Sequence, residues 1–245
     1  MIIGSNIIFR KNLSSTNSFA TALLKSKKVR EGTIIQTNFQ TEGRGHGGNM
    51  WESEDGMNLL ISLILYPNMI NPSDQFIVSK IISLGICDYL RQYTADVSIK
   101  WPNDIYVKND KIAGILIEAS IFGDEIENII IGIGLNVNQV IFKSSAPNPV
   151  SLKLIMQENY NIEACLKNLA DTLDRRYKQL LSEDREEIDR EYLGNLYKSG
   201  KWSYYSDAKG SFEGRIISVA PGGHLQIEDR HGRIYKYGLK EVSYL

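Results

Sequence analysis

The sequence predicts an α+β fold, in which a mixed β-sheet is flanked by helices and followed by a small C-terminal β-barrel. Three observations predict it. Apolar, β-branched runs joined by short turns fill residues 97–137, as expected for neighbouring strands of one sheet. Apolar residues recur with the helical period over 73–93 and 162–180. From residue 204 onward, short strand-like runs alternate with glycine-containing turns, a pattern typical of a small barrel.

The composition is that of a globular protein of the cytoplasm. Of its 245 residues, 42% are hydrophobic and 23% are charged, and the formal net charge of −1 gives no general attraction to nucleic acid. Cys87 and Cys165 have no neighbouring His or Cys, so neither a disulfide framework nor a cysteine metal site is predicted. Since the sequence shows no signal peptide and no apolar run of about 20 residues, we expect no membrane association.

The first third of the chain alternates strands with helices. A strand is predicted over 2–10, and a short helix follows that is capped by residues 14–16. Ser15 and Thr16 could serve as caps alone. Further strands are predicted over 33–37 and 57–65 before a long amphipathic helix over 73–93, which is assigned to the core.

The middle of the chain predicts a sheet, and the end predicts a separate unit. Four strand-like runs joined by short turns cover 97–101, 105–108, 112–122 and 126–137. Asn161 is a good N-cap for a helix with one apolar stripe. Because the composition changes near Ser199, we predict two domains, one over 1–199 and a barrel over 200–245.

The segment from Gln40 to Trp51, QTEGRGHGGNMW, holds four glycines in six residues. Glycine allows positive φ angles and leaves backbone N–H groups open to an approaching anion. Such a segment is often only a flexible linker. Here Arg44, which can bind an anion with two parallel hydrogen bonds, and the large aromatic ring of Trp51 favour a binding site.

Two further segments carry candidate polar groups. In KWPND, residues 100–104, the proline cannot donate to a sheet, so Asn103 and Asp104 are expected to turn out of it, although a plain Asx turn explains the pair equally well. In KIAGILIE, Lys111 opens a strand and Gly114 would let a ligand approach closely. Taken alone, Lys111 is also an ordinary turn lysine.

Glycines alternate with apolar residues in GIGLNVN. Gly132 and Gly134 thin one face of a strand that ends near Asn136, but no helix follows directly, so this is a weak phosphate motif. The sequence shows no Ser–His–acid set, metal-ligand cluster or GxxxxGK[ST] loop. An enzyme built from these residues would act by holding two substrates together and neutralising their charge.

The motifs GRGHGGNMW, KWPND, KIAGILIE and GIGLNVN, in this order and before a C-terminal barrel, resemble those of biotin–protein ligases, also called biotin–[acetyl-CoA-carboxylase] ligases. The resemblance spans nearly the whole chain. It implies a class II synthetase-like catalytic domain and an SH3-like barrel. It also implies that biotin and ATP, with Mg²⁺, form biotinyl-5′-AMP, and that the biotinyl group passes to a lysine of a biotin carboxyl carrier protein domain.

Site residues follow from the resemblance by motif position. Those implied to contact biotin are Ser15, Thr16, Gln40, Gly43, Arg44, Lys111 and Gly114. Those implied to hold the nucleotide are His46, Trp51, Asn103 and Asn136. Asp104 resembles the acid proposed to orient or deprotonate the incoming lysine, which makes Arg44, Lys111 and Asp104 the predicted catalytic residues. The resemblance does not identify the residues that would bind Mg²⁺.

The glycine loop departs from the family pattern GRGRxGRxW at two positions. His46 and Asn49 stand where the pattern has arginine. Two permanent cations are therefore missing from the loop, which puts tight binding of the adenylate in doubt.

Two other functions fit parts of the sequence. A lipoate or octanoate ligase or transferase shares the general fold, but the pair KWPND and KIAGIL and the terminal barrel favour biotin. Some biotin–protein ligases also repress transcription as DNA-binding dimers, through a helix-turn-helix domain that precedes the catalytic one. Because the first predicted strand begins near residue 2, we expect no binding to nucleic acid, and we expect a monomer or a homodimer.

Overall fold

The structure is a computed structural model that describes residues 1–144, 148–182 and 184–245. Its strands are β1 (Asn6–Leu13), β2 (Thr33–Gln40), β3 (Leu59–Leu65), β4 (Val97–Lys100), β5 (Asp104–Val107), β6 (Asp110–Phe122), β7 (Glu125–Leu135), β8 (Ser203–Asp207), β9 (Gly210–Val219), β10 (Leu225–Asp229), β11 (Ile234–Tyr237) and β12 (Ser243–Tyr244). Its helices are α1 (Thr16–Ser26), α2 (Phe76–Leu90), α3 (Leu152–Met156), α4 (Ile162–Leu181) and α5 (Arg185–Gly194). Within the described ranges, no helix is long and apolar enough to cross a lipid bilayer.

Strands β1 to β7 form one mixed sheet in the order β1-β2-β3-β7-β6-β5-β4. β1 runs parallel to β2, and the other neighbouring pairs are antiparallel. The parallel pair is possible because α1 provides the crossover between its two strands. The predicted α+β class, a mixed sheet flanked by helices, is confirmed.

Both faces of this sheet are covered, because alternate residues of a strand point to opposite sides. On β7, Ile130 packs with Ala20 of α1, whereas Ile131 and Ile133 belong to the main core that contains α2. The glycines of GIGLNVN on this strand therefore face the α1 side. The isoleucine and leucine between and beside them fill the core on the other side.

Helix α2 is the centre of the main core, as predicted for the helix over 73–93, but it is buried on nearly all sides and is not amphipathic. All of its residues except Phe76 and Asp88 are buried. α4 and α5 cover the side of α2 that faces away from the sheet. A Cβ at Gly85 would lie 2.8 Å from a methyl group of Leu173 in α4, so the glycine lets these two helices approach closely.

Other observed elements also differ from the predicted ones. Asp104 is the first residue of β5 and pairs with Lys100 and Gly114, so it stays in the sheet and does not turn out of it. β1 begins at Asn6 rather than near residue 2, because the backbone N–H groups of Ile2 and Ile3 donate to the buried Asp174 carboxylate, at 2.6 and 2.9 Å. The sequence did not predict α3, since five residues are too few to show a helical period. The predicted N-cap of α4 is confirmed, as Asn161 Oδ1 accepts from the next turn at 2.9 Å.

Strands β8 to β12 form a second, antiparallel sheet in the order β11-β10-β9-β8-β12. In the described residues β11 and β12 are its two edges and do not pair, so this sheet is open and not the predicted closed barrel. β12 has only two residues, too few to close a barrel against a partner. Tyr205, Ile216 and Ile227 of this sheet share one hydrophobic core with α2. The division into domains 1–199 and 200–245 stays a prediction.

Trp101 links the two sheets. Its indole Nε1 donates to the carbonyl of Gly223 at 2.9 Å, and the side chain is buried. Next to it, the N–H of Ile99 donates to the carbonyl of Asn195 at 2.8 Å, and the N–H of Tyr197 donates to the carbonyl of Ile99 at 2.8 Å. The corner KWPND is therefore fixed by the second sheet as well as by its own strands.

We expect Trp101→Phe to lower the free energy of unfolding by about 1–3 kcal/mol, because the buried carbonyl of Gly223 loses its partner while most of the ring volume is kept. Urea unfolding of the variant and the wild type measures the difference. Trp202→Phe is the control, because it makes the same exchange at a ring that lies against Arg215 and Arg230, and a phenyl ring can keep these contacts. A variant at Trp101 as stable as the wild type would contradict the role of this hydrogen bond.

Candidate active site

A pocket lies beneath the glycine loop, residues 40–51, on the side of the main sheet that carries α1. The N-terminus of α1, the loop, the KWPND corner and the faces of β6 and β7 form its walls. The structure thus brings together most of the predicted site residues, whose roles stay predictions. Those in the lining are Ser15, Thr16, Gln40, Arg44, His46, Trp51, Asn103, Lys111 and Gly114.

The other three predicted residues lie just outside this lining. Asp104 contacts it through Lys111. Gly43 is part of the loop, and a Cβ there would lie 2.5 Å from the backbone oxygen of Trp51. Asn136 is buried at the end of β7, where its Nδ2 donates to the carbonyl of Val150 at 3.0 Å. Asn136 therefore holds the chain after β7, and its contact with a nucleotide stays a prediction.

The first residues of α1 form one wall of the pocket. Ser15 is the N-cap of the helix, and its Oγ accepts from the N–H of Ser18 at 3.5 Å. Gln40 Oε1 accepts from the N–H of Thr16 at 2.8 Å and from its hydroxyl at 3.1 Å. Capping does not exclude a place in the site, because the capping residues also line the pocket.

The ring of Trp51 lies on the bare backbone of β6 and β7. Gly114 and Gly134 are directly opposite each other on these strands. A Cβ at Gly114 would lie 2.8 Å from the ring, and a Cβ at Gly134 would lie 2.3 Å from it, so neither position has room for a side chain. The indole Nε1 is buried without a partner among the described residues. Gly114 and Gly134 therefore leave the space that this ring occupies.

The glycine loop is folded back on itself. The N–H of Gly45 donates to the carbonyl of Asn49 at 2.7 Å, and the N–H of Trp51 donates to the carbonyl of Gly43 at 2.9 Å. Between these bonds the chain turns through Gly47 and Gly48, at φ angles of 64° and 85° that favour glycine. The loop is structured by its own backbone and is not a flexible linker.

Two ion pairs set the charge of the pocket. Lys111 Nζ lies 2.7 Å from Asp104 Oδ1, and an Arg44 guanidinium nitrogen lies 2.9 Å from Glu118 Oε2. Each predicted catalytic cation is therefore balanced by a carboxylate. An anionic ligand that contacts either cation competes with the carboxylate, so binding includes an exchange of ion-pair partners.

Sequence analysis missed two residues of this arrangement, Asn17 and Glu118. Asn17 is buried and lines the pocket, its Oδ1 accepts from the hydroxyl of Ser62 at 2.5 Å, and its Nδ2 donates to Glu118 Oε2 at 2.7 Å. Because the same Glu118 oxygen binds Arg44, Asn17 positions the arginine's partner. The available signals were a polar residue directly after a helix cap and the acid that ends KIAGILIE.

His46 lines the pocket from the glycine loop. Burial lowers the pKa of its imidazole below the ordinary value of about 6.5, the ammonium of Lys240 in the second sheet lowers the pKa further, and the Asp104 carboxylate acts in the opposite direction. At pH 7 the neutral form of the ring is therefore favoured. At this position the loop offers a hydrogen-bonding group and no permanent cation.

Relatives of known function match most of this chain. The bifunctional ligase/repressor BirA of Bacillus subtilis is 27% identical over 239 residues, which cover 94% of this chain and 72% of the relative. The biotin–protein ligase of Homo sapiens is 28% identical over 246 residues, which cover 95% of this chain and 33% of the relative.

Solved structures share the fold, and a family model matches the sequence. The biotin protein ligase of Aquifex aeolicus in complex with biotin and ATP superposes with a TM-score of 0.80 at 24% identity, covering 98% of each chain. That of Leishmania major in complex with biotinyl-5-AMP has a TM-score of 0.64 at 23% identity, covering 96% of this chain and 99% of the other. The model of the biotin/lipoate A/B protein ligase family matches residues 9–136, which contain the glycine loop, both ion pairs and the ring of Trp51. The chain therefore belongs to the biotin/lipoate A/B protein ligase family.

Proposed function

We propose that this chain is an ATP-dependent biotin–protein ligase, which forms biotinyl-5′-AMP and transfers the biotinyl group to a lysine of a biotin carboxyl carrier protein domain. One observation carries the proposal. Lys111 and Arg44, each held in an ion pair, line the same pocket as the uncharged polar groups of Ser15, Thr16 and Gln40. Such a lining suits biotin, a ligand with an uncharged polar ring system and a carboxylate.

In the first step an oxygen of the biotin carboxylate attacks the α-phosphorus of ATP, and the bond to the pyrophosphate breaks. Both reacting groups are anionic, so the protein must lower their mutual repulsion. Lys111 is placed to do so once its ammonium exchanges Asp104 for the anions. The ring of Trp51, 5.5 Å from the Lys111 ammonium, limits where this flexible side chain can go.

In the second step the amine of the carrier lysine attacks the biotinyl carbonyl carbon, an amide bond forms and AMP leaves. The attacking amine must lose its proton. An Asp104 carboxylate released by Lys111 can accept that proton, which couples the two steps through one ion pair. When Lys111 moves from Asp104 to the substrate anions, it lowers their repulsion and also frees Asp104 to accept the proton.

Arg44 acts beside Lys111 on the adenylate. Its partner Glu118 is held by Asn17, so the guanidinium approaches the pocket from a fixed direction. A guanidinium is planar and binds phosphate oxygens with two parallel hydrogen bonds, which suits the adenylate in both steps.

Mg²⁺ enters this reaction with the nucleotide. The described residues contain no group of three or more His, Cys, Asp and Glu side chains that could hold a metal ion. Mg²⁺ is usually held by one or two carboxylates together with substrate phosphates, so an ion that ATP supplies would need no such group. The ion would lower the negative charge of the phosphates.

Biotin is favoured over lipoate or octanoate because the Homo sapiens relative is a biotin–protein ligase and the two solved structures are biotin protein ligases in complex with biotin and ATP or with biotinyl-5-AMP. We place the enzyme in the cytoplasm, as a monomer or a homodimer whose protein partner is the carrier domain. Independence from nucleic acid stays a prediction, and a mobility shift with biotin-operon DNA would test it.

The proposed function is tested by exchange of radiolabelled pyrophosphate into ATP in the presence of biotin, lipoate or octanoate. We expect exchange with biotin, followed by transfer of labelled biotin to a purified carrier domain. Exchange with lipoate or octanoate and none with biotin would overturn the assignment.

We expect Lys111→Ala to slow adenylate formation by about tenfold or more and to affect biotin binding less, since the ammonium matters most as charge builds up at the phosphorus. The pyrophosphate exchange rate and calorimetric biotin titration measure the two effects. Lys108→Ala, in the same hairpin but exposed, is the control. The double variant Lys111→Ala/Asp104→Asn checks that an unpaired carboxylate is not the cause. Equal losses in binding and catalysis would contradict this role.

We expect biotinyl-5′-AMP to dissociate more slowly near pH 6 than near pH 8. In the free protein the pKa of His46 lies below its ordinary value. A phosphate beside the ring would raise that pKa, so a proton is taken up on binding, and affinity grows as pH falls through the bound-state pKa. Stopped-flow dissociation measures it. His46→Asn should remove the pH dependence, and His46→Arg should remove it and slow release about tenfold. Identical rates for all three proteins at both pH values would show that His46 does not touch the phosphate.

A further inference from the structure

Lys240 belongs to the second sheet, but its side chain reaches the glycine loop. It lies in the turn between β11 and β12, and its ammonium donates to the carbonyl of Gly47 at 2.8 Å. A Cβ at Gly47 would lie 2.5 Å from Lys240 Cε, so the missing side chain of this glycine leaves room for the lysine. Lys240 thus contributes the ammonium to this contact, and Gly47 contributes the carbonyl and the space.

The charge of Lys240 acts on the pocket. Its ammonium lowers the pKa of His46, which lines the pocket, so the two groups are close enough to interact electrostatically. His46 and Asn49 are also the positions where the loop lacks the arginines of the family pattern. The turn between β11 and β12 therefore places a cation next to the part of the loop that lacks the two arginines of the family pattern.

Lys240 differs from the other cations near the pocket in what it contacts. Lys111 is paired with Asp104, and Arg44 is paired with Glu118. In the part of the chain that the structure describes, the Lys240 ammonium forms no ion pair and contacts the neutral carbonyl of Gly47. A charge-assisted bond to a phosphate oxygen is stronger than a bond to a neutral carbonyl, so this cation gains most from an incoming polyanion.

We propose that the Lys240 ammonium leaves the carbonyl of Gly47 and binds the β- and γ-phosphates of ATP. It thereby supplies part of the positive charge that arginines at positions 46 and 49 would give, and that His46 and Asn49 do not give. The proposal rests on the proposed ATP-dependent ligation and adds a substrate contact from the second sheet. Lys240 is exposed and approaches from outside the loop, whereas Lys111 lies in the lining. The outer phosphates, which leave as pyrophosphate, are the part of ATP that such an approach meets.

This placement separates the two steps of the reaction. Pyrophosphate leaves after the first step, and the flexible lysine stem lets the ammonium return to the carbonyl of Gly47. Lys240 then has no phosphate to bind during transfer to the carrier. It should therefore affect ATP and pyrophosphate and leave the adenylate largely unaffected.

The test compares the wild-type protein with Lys240→Met, Lys240→Arg and Lys236→Met. Lys236 is an exposed lysine of β11, so its substitution makes the same change of charge on the same sheet without a contact to the loop. The readouts are calorimetric titrations with MgATP, with pyrophosphate and with a non-hydrolysable analogue of biotinyl-5′-AMP, and the KM for ATP in biotin-dependent pyrophosphate exchange.

We expect Lys240→Met to weaken MgATP and pyrophosphate about tenfold, to raise the KM for ATP by a similar factor and to change affinity for the adenylate analogue by less than about twofold. Lys240→Arg and Lys236→Met should stay close to the wild type. Equal weakening of all three ligands would show that Lys240 only supports the loop, and unchanged ATP affinity would show no contact, so either result overturns the proposal. A wild type that binds ATP but shows no exchange with biotin would instead reject the ligase function, while the titrations still decide the role of Lys240.

Discussion

The packing of the Trp51 ring on two bare strands is the interaction on which the site depends. The ring occupies the space that side chains would fill at Gly114 and Gly134, and it thereby holds one end of the glycine loop against the sheet. On the opposite face, Ile115 and Ile133 of the same strands fill the main core. Alternation along β6 and β7 thus lets one pair of strands stabilise the fold with one face and make room for the loop with the other.

Charge balance is the second constraint on the pocket. A cation without a partner in a partly buried site would lose hydration without compensation, so Lys111 and Arg44 are each matched by a carboxylate. This arrangement balances the two cations when no ligand is bound. An anion that binds to Lys111 or Arg44 must therefore replace the carboxylate partner of that side chain. In the proposed mechanism the exchange at Lys111 would also serve the second step, because the Asp104 carboxylate that it releases is the predicted proton acceptor.

The second sheet shares its hydrophobic core with the mixed sheet. Its apolar residues Tyr205, Ile216 and Ile227 pack into the core around α2, and it therefore needs no closed interior of its own. It contacts the site at two points, where Trp101 donates to the carbonyl of Gly223 and where Lys240 donates to the carbonyl of Gly47. These two contacts join the second sheet to the KWPND corner and to the glycine loop, which both border the pocket.

By itself the sequence determined the strands of the mixed sheet, the caps at Ser15 and Asn161, and the motifs that line the pocket, because periodicity, capping and turn chemistry are local. Only the tertiary structure decided what depends on distant neighbours. It showed that α2 is buried on nearly all sides, that the second sheet stays open, and that Glu118, Asn17 and Lys240 act on the loop. These contacts join residues far apart in the chain, and no local pattern specifies which lysine of a distant sheet will meet which glycine.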